Sequence, residues 1–146
     1  MPDASTSQAP SAQSIRRAKL FWEQATQDLK GAREKLPSAP LESAYGCFQA
    51  ALNALTTVCY LNGRYQLPNF STARMAALCA EFEPAFESLR APCDELESVQ
   101  HRSPFDKAPD PQALAELGRT SLAASTQVVD RVRDYLKEHR KRFFAP

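Results

Sequence analysis

Glycine is scarce in this chain, with only 4 residues in 146, and no glycine-rich loop able to cradle a phosphate is present. Histidine is scarcer still, with only His101 and His139. That leaves little material for a histidine-based metal site, and the Glu-x-x-His spacing of di-iron bundles is missing. Of the four cysteines, Cys47, Cys59, Cys79 and Cys93, none forms a Cys-x-x-Cys pair. A structural zinc site draws on closely spaced ligand pairs, so neither zinc nor any other metal or cofactor is expected. The cysteines read as small buried hydrophobes with reduced thiols. Net charge is nearly absent too, at +1, which gives no global attraction to nucleic acid or to anionic lipid. No local pattern suggests a Ser-His-Asp or Cys-His arrangement.

The most informative absence is local. Between Glu42 and Arg64 there is no acid or base, and the run reads SAYGCFQAALNALTTVCYLNG. A segment this long and this apolar is either a membrane span or the central helix of a bundle. Gln49, Asn53, Thr56, Thr57 and Asn62 interrupt it, and each needs a partner in hydrocarbon. No aromatic or basic belts flank it, and no second span exists. The bundle reading is preferred, and no membrane association is expected.

What is present is helical periodicity. Ile15, Ala18, Trp22, Ala25, Leu29, Ala32 and Leu36 recur at steps of three and four, opposite Arg16, Arg17, Glu23, Gln27, Lys30 and Glu34. This predicts a first helix capped by Ser14 and ended by Pro37. The short Pro37–Pro40 link turns a second helix, Leu41 to Leu61, back beside it, and Asn62-Gly63 stops it. Ser71 is the expected cap of a third helix carrying Met75, Leu78, Cys79 and Phe82. Pro84 opens a further turn, and Pro92 marks a break before a short helix with Leu96 and Val99. His101 to Pro111 is dense in proline and reads as loop. A long last helix begins near Asp110-Pro111, with a stripe from Leu114 to Leu136. No stretch alternates like a strand. The expected fold is all-α: an up-down bundle of four main helices with one or more short extra helices.

The expected domain spans residues 14–142. Residues 1–13, rich in Ser, Ala, Pro and Gln, read as a disordered tail. They lack the basic start and apolar core of a secretory signal, so a cytoplasmic protein is expected. Residues 143–146 read as a C-terminal tail. Charge is uneven. Acids gather at Glu81, Glu83, Glu87, Asp94, Glu95 and Glu97, and bases at Arg131, Arg133, Lys137, Arg140, Lys141 and Arg142. The two regions can attract each other within or between chains. The basic set can also contact phosphates, with Phe143 and Phe144 nearby for stacking. The competing reading is a solvated helix end whose cations complement the dipole.

The order of elements carries a resemblance. AKLFWEQATQDLKGA, then AYGCFQAALNALTTVCYLNG, then STARMAALC, a proline-rich loop with an arginine, and finally ALAELGRTSLAASTQVVDRVRDYL together resemble the HEPN domains. These are small helical bundles of prokaryotic toxin–antitoxin and nucleic-acid-defence systems, and the resemblance runs from about Ile15 to Lys137. It implies a homodimer. It also implies one of two roles. The first is a metal-independent endoribonuclease, the toxin component of a toxin–antitoxin pair, built on an Arg-x4–6-His motif. The second is a non-catalytic partner of a small nucleotidyltransferase or another protein, or a binder of nucleotides or RNA. Metal-free RNA cleavage needs a cation at the scissile phosphate and a group to move protons. In the loop, Arg102 matches the arginine, with His101 beside it, but Lys107 stands where the active pattern has histidine. Lysine shuttles protons poorly near pH 7 unless its pKa is strongly lowered. A literal match, Arg133-x5-His139, falls late in the last helix. In helix two, Leu55 and Cys59 occupy positions where such domains carry glutamate and lysine. The expected function is therefore a non-catalytic HEPN-like module that dimerises and binds a protein partner or nucleotide/RNA. The alternative is the endoribonuclease.

Overall fold

In the computed structural model, the described residues are 10–68, 71–100 and 110–144. Their regular structure is all helical, with no strand among the described residues. Five α-helices follow one another: α1 (Ala12–Lys35), α2 (Pro40–Leu61), α3 (Thr72–Phe82), α4 (Arg90–Gln100) and α5 (Pro111–His139). A 3-10 turn, Pro84–Leu89, joins α3 to α4.

The helix ends follow local chemistry. α1 starts two residues before the expected Ser14, because Ser11 is the cap and its side chain accepts from the Ser14 amide. Ser14 instead turns inward, and its hydroxyl lies 2.6 Å from that of Tyr65. Ser71 caps α3 as the sequence predicts, and Asp110 caps α5 where the sequence predicts that helix to begin. Gly63 has φ 72°, the left-handed conformation that ends α2 with little strain. Pro92 is not a break. It sits in the first turn of α4, where a missing amide costs nothing, so α4 runs straight on from the 3-10 turn.

α2 is the centre of the molecule and packs against each of the other four α-helices. That position explains why Ser43–Gly63 holds no charge: Ala44, Cys47, Ala50, Ala51, Ala54, Leu55, Val58 and Cys59 are all fully buried. The polar residues of the run are satisfied in place. Ser43 donates to the Ala32 carbonyl at 2.6 Å, Thr56 to Leu52 at 2.7 Å and Thr57 to Asn53 at 3.0 Å. Asn53 donates to Asp28 at 3.0 Å, and Ser125 of α5 donates to the Cys47 carbonyl at 2.7 Å. Among the described residues no helix is long and apolar enough to cross a membrane.

These bonds also fix direction. Ser43 meets Ala32 and Thr57 meets Ala18, so α1 and α2 are antiparallel. Cys47 meets Ser125, Asn62 meets Tyr135 and Leu61 meets Arg140, so α2 and α5 run parallel. The C-terminal ends of α2 and α5 and the start of α1 therefore share one end of the bundle.

Candidate functional site

That shared end holds the basic cluster. Two parallel helices deliver their C-terminal ends to the same place, where the partial negative charge favours cations. Arg140 follows this rule: its Nη2 donates to the Leu61 carbonyl at 3.0 Å and closes the last turn of α2. Its Nε is buried and has no hydrogen-bond partner among the described residues. Arg133 pairs with Asp130 at 2.9 Å and lies 5.5 Å from the Trp22 ring centroid. Arg131, Lys137, Lys141 and Arg142 are exposed and make no ion pair among the described residues.

The acidic and basic regions do meet within the chain, at one point. His139 Nε2 lies 3.3 Å from Glu83 Oε2 and 3.9 Å from Glu138 Oε1, and its ring stacks on Tyr135 with centroids 5.1 Å apart. Glu83, Arg131, Asp134, Tyr135 and His139 line a shallow cavity of about 260 Å³ between the 3-10 turn and α5. Among the described residues no group of His, Cys, Asp and Glu has the geometry to hold a metal ion.

The Arg133-x5-His139 pair does not assemble within the chain. Six residues along a helix turn the side chain by about 240°, which leaves the two about 120° apart around α5. Arg133 accordingly faces α1 and Trp22, while His139 faces Glu83. His101, Arg102 and Lys107 lie outside the described residues.

A larger cavity, about 560 Å³, opens at the shared end. Its apolar wall is Pro10, Ile15, Leu61 and Phe143, and its charged rim includes His139, Arg140, Lys141 and Arg142. Of the apolar members, the sequence singles out Phe143 as a stacking neighbour of the bases, whereas Ile15 and Leu61 read as core. Phe143 is in fact 7% exposed and packs into the core, with Lys19 6.0 Å from its ring centroid. Its ring is thus covered on the core side, while Phe144 is exposed and meets Trp22 edge-on at 6.1 Å. The signal that could have found the wall is an aromatic pair closing a run of bases.

The cysteines offer no chemistry. All four are free and buried. Burial pushes the Cys47 thiol up to about 11 and the Cys93 thiol up to about 12. Burial, reinforced by Cys59 with its Sγ 3.8 Å away, holds Cys79 well above its usual value. Thiolate, the reactive form, is scarce under such conditions. A water-soluble disulfide reagent at pH 8 is therefore expected to leave the four thiols of the native chain unmodified for hours and to label all four in denaturant. Rapid native labelling of even one would contradict this packing. The linkage has a definite sign. Raised thiol pKa values leave stability untouched below pH 9 and remove it as pH climbs from there through about 11 and 12.

Comparison with protein-family models, with curated proteins and with solved structures gave no match to this chain.

Proposed function

We propose that this chain is a non-catalytic, HEPN-like helical module that forms a homodimer and binds a partner carrying phosphate, nucleotide or RNA, at the C-terminal end of α5. The observation that carries this reading is the set of exposed cations there. Lys137, Lys141 and Arg142 have no ion pair among the described residues, and Arg131 adds a fourth such charge on the same helix. Arg140 already serves the α2 carbonyl, so the remaining cations exceed what one capping contact uses. Cations so placed bind phosphates by releasing counterions, a mode that needs no defined chemistry. The four-helix, up-down arrangement of HEPN domains belongs to the same proposal. Its support is the central α2, uncharged after Glu42, and the long, basic-ended α5.

The endoribonuclease alternative is weakened by the separate engagements of Arg133 and His139 within one chain. One gel experiment addresses both readings. Labelled single-stranded RNA is expected to be retarded at low salt, to remain full length, and to bind about tenfold more weakly for each few-fold rise in salt. Lys137→Glu is expected to weaken the shift. No retardation at low salt, or retardation indifferent to salt, removes the phosphate-binding reading. RNA that is cut by the wild type and spared by His139→Ala establishes the nuclease instead. Light scattering on the same sample is expected to give twice the chain mass of 16.2 kDa, and a strictly monomeric species refutes the dimer.

A further inference from the structure

The cavity at the shared end is chemically unlike the exposed cations around it. Polyanions such as RNA need an open, solvated surface. This space of about 560 Å³ has the size of a small-molecule site and is walled by Ile15, Leu61 and Phe143. Above that wall stand Arg140, Lys141 and Arg142, opposed by one carboxylate, Glu138. Besides His139, the lining therefore carries three positive charges against one negative. Arg140 is the most constrained of them. One nitrogen of its guanidinium is fixed on the Leu61 carbonyl at 3.0 Å, which holds the group in place. Its buried Nε has no partner among the described residues. Arg140 also lines the cavity, so its fixed positive charge is available to an anion held there.

We propose that this cavity binds one small organic anion, with its carboxylate or phosphate head against Arg140, Lys141 and Arg142 and its apolar body against Ile15, Leu61 and Phe143. This deepens the reading of the chain as a binding module and rests on it: Lys141 and Arg142 serve both surfaces, while Lys137 serves the outer one alone. Lys137 does not line the cavity. A fatty acid meets this requirement in full, and a nucleoside monophosphate shares the compact anionic head and offers the faces of its base as the apolar surface.

Calorimetric titration of the full chain separates the outcomes. The probes are decanoate, adenosine 5′-monophosphate and inorganic phosphate, each taken to millimolar concentration. At least one of the two organic anions is expected to bind with one site per chain, and inorganic phosphate to bind far more weakly. Decanoate binding alone assigns a fatty-acid type of ligand, and adenosine monophosphate binding alone assigns a nucleotide. The double variant Lys141→Glu with Arg142→Glu, both exposed positions, is expected to keep its thermal midpoint and to lose about tenfold or more in affinity. Lys137→Glu is expected to leave this binding unchanged while weakening the RNA shift. Three results overturn the proposal: no binding of either organic anion, inorganic phosphate binding as tightly as they do, or equal losses from Lys137→Glu and from the double variant. An intact RNA shift alongside the first of these leaves the broader binding reading standing. Loss of the RNA shift with organic-anion binding retained does the reverse.

Discussion

Substituting Leu55→Glu is expected to abolish the cooperative unfolding transition of this protein, or to lower its stability by about 5 kcal/mol or more. Leu55 is fully buried on α2, the helix that every other α-helix contacts. Removing a buried leucine side chain alone costs about 2–5 kcal/mol. A carboxylate placed there must either give up its hydration or take up a proton, and among the described residues no buried cation is available to pair with it. Single domains are stable by only about 5–15 kcal/mol, so the two costs together approach the whole margin. Circular dichroism in a urea series reads the result. A variant that stays folded with nearly the wild-type midpoint disproves the burial of this face.

Substituting Gly118→Leu is expected to cost about 3 kcal/mol, and Gly118→Ala about 1–2 kcal/mol, even though alanine favours helix over glycine by about 1 kcal/mol. Gly118 is the point where α5 crosses the link between α1 and α2. A Cβ there lies 2.5 Å from Leu36 Cδ1, 3.1 Å from Pro40 Cβ and 3.2 Å from the Pro40 carbonyl oxygen. The leucine methyl can swing aside. The proline cannot, because it belongs to the first turn of α2. An alanine must therefore push α5 off the link, and a leucine must push it further. The measurement is the denaturant midpoint of both variants. A Gly118→Ala protein more stable than the wild type means that helix propensity outweighs packing and that this crossing is loose.

How much of this was legible beforehand depends on which residues carried it. The centrality of α2 was legible, because a run from Ser43 to Gly63 without charge has few places to go in a folded chain. The α3 cap was legible because Ser71 directly precedes the apolar stripe, and the start of α5 was legible from Asp110 followed by Pro111. Ser14 misled because Ser11 offered the same chemistry three residues earlier, and only the tertiary contact with Tyr65 decides between them. Pro92 misled because proline stops a helix from its interior but starts one in its first turn, and the preceding 3-10 turn decides which applies. The separation of Arg133 from His139 follows from helical geometry alone, since six residues cannot return a side chain to the same face. Arg140 is the opposite case. Its neighbours in sequence make it one base among several. Its bond to Leu61 depends on α2 and α5 running parallel, which no local pattern announces.

The docking of the C-terminal turn has an optical consequence. Trp22 is the single tryptophan of the chain, buried on α1, with the Arg133 guanidinium 5.5 Å from its ring and Phe144 packed edge-on at 6.1 Å. Phe144 adjoins Phe143, a wall of the large cavity. Indole emission responds to the polarity and charge of its immediate surroundings, so the protein carries a built-in fluorophore aimed at the one segment whose seating defines the proposed site. Seating and release of residues 141–144 can be followed in the unlabelled chain by the colour of its own light.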